Sequence, residues 1–134
     1  MSAGWDDAER DEVRGRLGAL ASTLPGVERE EANGHTLYLL GARRFAYMEV
    51  DHHGDGRLAL VVKAPPGEQQ ALVAADPGRY FVPSYVGARG WVGVRLDAAA
   101  SPDWDEVDGL LEEAWRMTAG KRAIAAFDAT REGR

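Results

Sequence analysis

Cysteine is absent from this 134-residue chain, which excludes a disulfide framework, a thiolate metal site and a thiol nucleophile. Lysine is almost absent too, occurring only as Lys63 and Lys121, so arginine carries nearly all of the positive charge. With alanine, glycine and aspartate abundant beside it, this arginine usage is what a GC-rich coding bias produces. No apolar run approaches membrane-spanning length, and residues 1–10 are polar and acidic where a signal peptide is basic and then apolar. These absences predict a cytoplasmic protein with no membrane partner.

Nucleophilic and phosphate-loop signatures are missing as well. Ser2, Ser22, Ser84 and Ser101 lack a G-x-S-x-G context, and Gly87, Gly90 and Gly93 fit neither the dinucleotide nor the phosphate-loop pattern. The expectation is a non-enzymatic protein without a cofactor. A formal net charge of -6 argues against a surface that tracks nucleic acid everywhere, so any anion site must be a local concentration of positive charge.

What is present fits one domain over 1–134, with its core at about 6–128. Val13, Leu17, Leu20 and Leu24 recur at helical spacing behind Asp6, Asp7, Glu9, Asp11 and Glu12, which predicts an amphipathic helix over 6–23. Leu24-Pro-Gly-Val27 ends it. Residues 27–33 read as an acidic edge strand or loop, followed by strands at 35–40 and 44–50 around a turn at 41–44. The glycine-rich segment 51–56 is a turn, and 57–64 alternates as the next strand. A short helix is expected at 68–75, then a hairpin of 80–86 and 91–97 with Pro83 at an edge or bend. Ser101-Pro-Asp103 is read as the cap of a second long helix, with Trp104, Val107, Leu111, Ala114, Trp115 and Thr118 as its buried stripe. Lys121 and Arg122 would fall late in that helix, and 130–134 would fray. The order implies an α+β layer: an antiparallel sheet covered on one face by the N- and C-terminal helices, its other face open, with a short connecting helix.

Three clusters are candidates for function. His52-His53-Gly54-Asp55 has ligand chemistry, but adjacent residues diverge and a turn explains the composition without a metal; His35 stands apart from it in sequence. The carboxylates Asp7, Asp11, Glu28, Glu30 and Glu31 could attract hard cations, although helix capping and a solvated face account for them equally well. The third is a basic and aromatic set, Arg43, Arg44, Lys63, Arg79, Tyr85, Arg89, Trp91 and Arg95, in which arginines can contact phosphates and exposed rings can stack on bases. Trp91 could instead be a core residue.

Leu24-Pro-Gly-Val27, Phe45-Ala46, the strand 58–63 and, above all, the segment from Tyr85 through Trp91 to Asp97 resemble the MmcQ/YjbR family, with matching element order over 13–127. The resemblance implies a fold similar to bacterial frataxin, described as a double wing and associated with DNA binding. It puts Lys63 at a strand end that is often basic, Arg89 in the turn before the aromatic position, and Trp91 at that position. Ala88 and Gly90 make this turn smaller than it is in members with bulkier or more polar residues there. The resulting expectation is a DNA-binding protein, and the charged surface elements, with no long apolar seam, predict a monomer; the alternatives are a frataxin-like metal-binding protein using the acidic residues, or a small-ligand or protein-interaction domain using the open sheet face.

Overall fold

The computed structural model describes residues 4–132. Within them, α1 (Asp7–Ala21) is followed by β1 (Val27–Ala32), β2 (His35–Leu40), β3 (Arg43–Val50) and β4 (Leu58–Val62). Then come α2 (Glu68–Ala75), β5 (Tyr80–Phe81), β6 (Val92–Arg95), α3 (Trp104–Thr118) and α4 (Lys121–Glu132). The strands make an antiparallel sheet in the order β1-β2-β3-β4-β6-β5, so β6 inserts between β4 and β5.

Period-two alternation decides which side chains meet the helices. Tyr38, Met48, Leu58, Leu60, Val62, Val92 and Val94 point to one face and are buried there against Val13 and Leu17 of α1 and Val107, Leu111, Ala114 and Trp115 of α3. A register shift at Tyr38/Leu39 lets both Phe45 and Ala46 join this core. The indole N–H of fully buried Trp115 donates to the Pro25 carbonyl at 3.0 Å, which ties the chain break after α1 to α3. Asp6 caps α1 by accepting from the Glu9 amide at 2.8 Å.

The α+β layer and its antiparallel sheet are as expected, while several local readings are corrected. The second long helix is two helices. Ala119 is extended, with ψ 152°, and Gly120 follows it, so the chain folds back until Phe127 packs on Trp115 at 5.1 Å between ring centroids. Lys121 and Arg122 therefore open α4, where the dipole does not favour them. Helix α4 runs to Glu132, which corrects the frayed tail; the last two residues of that expected tail lie outside the described residues. Asp103, not Ser101, caps α3, accepting from the Asp105 amide at 3.0 Å.

The strand expected over 80–86 is only Tyr80–Phe81, because Pro83 cannot donate to the ladder and Tyr85 adopts a positive φ of 65°. A 3₁₀ turn at Val86–Arg89 replaces the rest. This segment also corrects the picture of an open second face. Val86 and Trp91 fold onto Val61 and Tyr47 as a second buried cluster, so β4 is buried on both sides. Gly93 has no side chain where the Phe81 ring lies; a Cβ there would overlap that ring.

Candidate nucleic-acid interface

Strand register gathers residues that are far apart in sequence. Arg44 is partnered with Leu39 and Arg43 with Leu40, while the Lys63 amide donates to the Phe45 carbonyl at 3.1 Å, placing the start of β3 beside the end of β4. Val62 is partnered with Val92, so Trp91 and the turn before it arrive at the same end of the sheet. Arg43, Arg44, Lys63, Arg89 and Trp91 consequently line one open cavity of about 620 Å³. Leu37, Leu39 and Met117 supply much of its apolar lining.

No carboxylate lines this cavity, and none of its four cations forms an ion pair among the described residues. Arg43, Arg44 and Arg89 are exposed. The Arg44 guanidinium lies 5.5 Å from the Tyr47 ring centroid, and Lys63 Nζ reaches Thr118 Oγ1 at 3.4 Å, both contacts that leave the positive charge unneutralised. Burial and then the nearby Glu49 push the Tyr47 phenol up to about 12, so it is neutral at physiological pH. Trp91 is only 5% exposed and sits 6.2 Å from Tyr47 between centroids. Its role in the wall is packing rather than stacking on a ligand.

The turn carrying Arg89 is held by a residue that the sequence did not single out. Gln69, buried on α2, donates through Nε2 to the carbonyls of Gly87 at 2.8 Å and Trp91 at 2.6 Å. Gly90 takes φ 87°, a conformation that favours glycine, and a Cβ at Gly87 would collide with Val82. A polar residue in a short helix is ordinary, so only the fold reveals this clamp.

The remaining members of the basic and aromatic set lie elsewhere. Arg79 is held by Asp76 at 3.5 Å and Glu106 at 3.4 Å, and Arg95 by Asp97 at 2.9 Å and the Gly78 carbonyl at 3.2 Å. Their charges are used inside the protein. Tyr85 is 80% exposed but stands beside the histidines, 6.3 Å from His52 and 6.5 Å from His53 between centroids.

That histidine turn is closer to His35 than the sequence indicated, since the His35 and His52 rings are 5.6 Å apart. His35 Nδ1 accepts from the Val50 amide at 2.9 Å, and burial followed by the proximity of His52 lowers its pKa, which fits a neutral imidazole. Asp51 and Asp55 accept from the Gly56 and Arg57 amides, both at 2.8 Å, as turn residues do. Glu49, almost fully buried nearby, is pushed up to about 6 by burial and then Asp55, with Arg57 and His53 offsetting part of the effect. Among the described residues no group of three or more histidines and carboxylates is arranged to hold a metal ion. Asp7 and Asp11 on α1 are ion-paired with Arg10, both at 3.1 Å, and Glu31 accepts from Thr36 Oγ1 at 2.9 Å, while Glu28 and Glu30 are exposed on β1.

An antiparallel sheet with helices on one face is an α+β fold already represented among solved structures. The crystal structure of Deinococcus radiodurans protein DR2400, carrying the family-model domain DUF419, is similar over 84% of this chain and 85% of that one, with a TM-score of 0.64. Identity is 17%, so the likeness concerns the fold. The YjbR family model matches residues 22–117, and the chain belongs to that family. No functionally curated protein matches the sequence. Among the described residues no helix is long and apolar enough to cross a membrane.

Proposed function

We propose that this protein binds DNA, without catalysing a reaction on it, through the cavity lined by Arg43, Arg44, Lys63 and Arg89. The observation that carries this reading is the convergence of four cations with no carboxylate partner in a chain of net charge -6. Unpaired cations side by side repel one another, and an anionic ligand removes that repulsion while releasing its own counterions. The lining contains no histidine, carboxylate, serine or threonine. Apart from the Lys63 amine, it offers phosphate-binding groups but no side chain that serves as a nucleophile or general base, which favours binding over bond making. Arg79 and Arg95, already paired with acids, are left out of the proposed contact set, and Tyr85 is peripheral to it.

A fluorescence-anisotropy titration with labelled oligonucleotides at low salt tests the reading. Binding in the micromolar range, weakened by Arg89→Ala and by Lys63→Ala, is expected. Absence of any binding at tens of micromolar protein rejects it.

A further inference from the structure

Resting on that reading, we infer that the cavity takes a single nucleotide unit of an unpaired strand and disfavours duplex DNA. Two features of the same surface lead there. One is the cavity's composition: four cations share its lining with an apolar floor to which Leu37, Leu39 and exposed Met117 contribute. Duplex DNA presents phosphates outward and keeps its base faces stacked, so it has nothing to lay on such a floor. An unstacked nucleotide offers both a phosphate and a flat ring, and a guanidinium plane such as that of Arg44 is a surface on which bases stack. The volume of about 620 Å³ is on the scale of small-ligand sites.

The second feature is a pair of carboxylates beside the floor. In the β1–β2 register Glu28 is the partner of Leu39 and Glu30 the partner of Leu37, and partnered residues project to the same face. Both glutamates are exposed, and neither forms an ion pair among the described residues. Neighbouring strands are about 4.8 Å apart, so β1 lies roughly 10 Å from β3 and its arginines, within a Debye length of about 10 Å at 0.1 M salt. A duplex carries one charge per about 1.7 Å of axis and would bring phosphates against these glutamates while others meet the arginines. A single unit seated in the cavity keeps its phosphate on the cationic side. The glutamates thus act as a fence that admits a narrow anion and repels a broad one.

Anisotropy titrations of the full chain with a labelled single strand, the matched duplex, and competition by a nucleoside monophosphate or inorganic phosphate separate the possibilities. The single strand is expected to bind at least about ten-fold more tightly than the duplex, and the monophosphate to displace it at concentrations where inorganic phosphate does not. Exchanging both exposed glutamates, Glu28→Lys with Glu30→Lys, is expected to raise duplex affinity several-fold more than single-strand affinity. Duplex binding as tight as single-strand binding, equal displacement by inorganic phosphate, or an equal gain for both DNAs in the exchanged variant overturns the inference while leaving DNA binding intact. Failure of both DNAs to bind removes the inference and the proposed function together.

Discussion

Two groups of arginines in this protein differ in what reaches them, and the contrast bears on the proposed site. Those around α3 and the β5 edge are each tied to acids: Arg116 contacts Glu112 at 3.0 Å and Asp128 at 2.6 Å, while Arg79 and Arg95 bridge to Glu106 and Asp97. Those in the cavity, Arg43, Arg44 and Arg89, have no acid beside them, and Lys63 joins them. A paired guanidinium has already lost most of its outward field to its partner, whereas an unpaired one still projects it. Residue type alone therefore does not distinguish the two groups; whether a carboxylate reaches the guanidinium does.

If the helix-covered face is structural and the cavity functional, stability and binding should respond to different residues. The largest effect is expected for Trp115→Ala, which removes a fully buried indole and its bond to Pro25 and should cost about 3–5 kcal/mol in chemical denaturation. Where the variant is still folded, its DNA affinity should be that of the wild type. Arg44→Ala combined with Arg89→Ala should do the reverse, lowering affinity by about a hundred-fold, or roughly 2.7 kcal/mol, with the thermal midpoint little changed. A similar fall in stability would mean that these arginines also hold the fold.

The pH dependence sharpens the contrast from a third position. Because burial pushes Glu49 up to about 6, the folded state holds its proton more tightly than the unfolded chain does. That preference is fully present below the ordinary glutamate pKa and disappears as pH rises through about 6, so the ionised residue destabilises the fold above this range. Glu49→Gln should thus be more stable than the wild type at pH 8, by about 2 kcal/mol at most, with the difference shrinking towards pH 4.5. Guanidinium denaturation at the two pH values checks it; a constant difference would contradict the linkage. The smallest effect belongs to Arg116→Ala. Its partners are partly solvent-exposed, so it should cost less than about 1 kcal/mol and leave DNA affinity untouched.

Much of this arrangement is legible in the sequence, and the exceptions have physical causes. Helix α1 and strands β2 to β4 follow from periodicity and turn chemistry, since Val13 and Leu17, or Leu58, Leu60 and Val62, announce their buried faces, whereas the acidic composition of β1 fits an edge strand and a loop alike. The segment from Tyr80 to Trp91 is rich in strand-forming residues, yet Pro83 and the positive φ of Tyr85 prevent it from continuing the ladder. The break between α3 and α4 rests on Ala119 and Gly120, a faint signal between two helix-forming stretches, and is fixed by the packing of Phe127 on Trp115. Of the eight basic and aromatic residues singled out, five share the cavity because β3, β4 and β6 bring their ends together. Pairing that removes Arg79 and Arg95 depends on Glu106 and Asp97 in space, and spacing along the chain does not reveal it.

The salt dependence of single-strand binding tests the central claim most directly, because it counts the phosphates that the cations neutralise. With one nucleotide unit in the cavity presenting its own phosphate and that of its neighbour along the strand to the four cations, the slope of log K against log salt should be about -1.4, and Lys63→Ala should bring it closer to zero. A slope near zero, or one that Lys63→Ala and Arg89→Ala leave unchanged, would contradict the assignment of these cations to the phosphate contact.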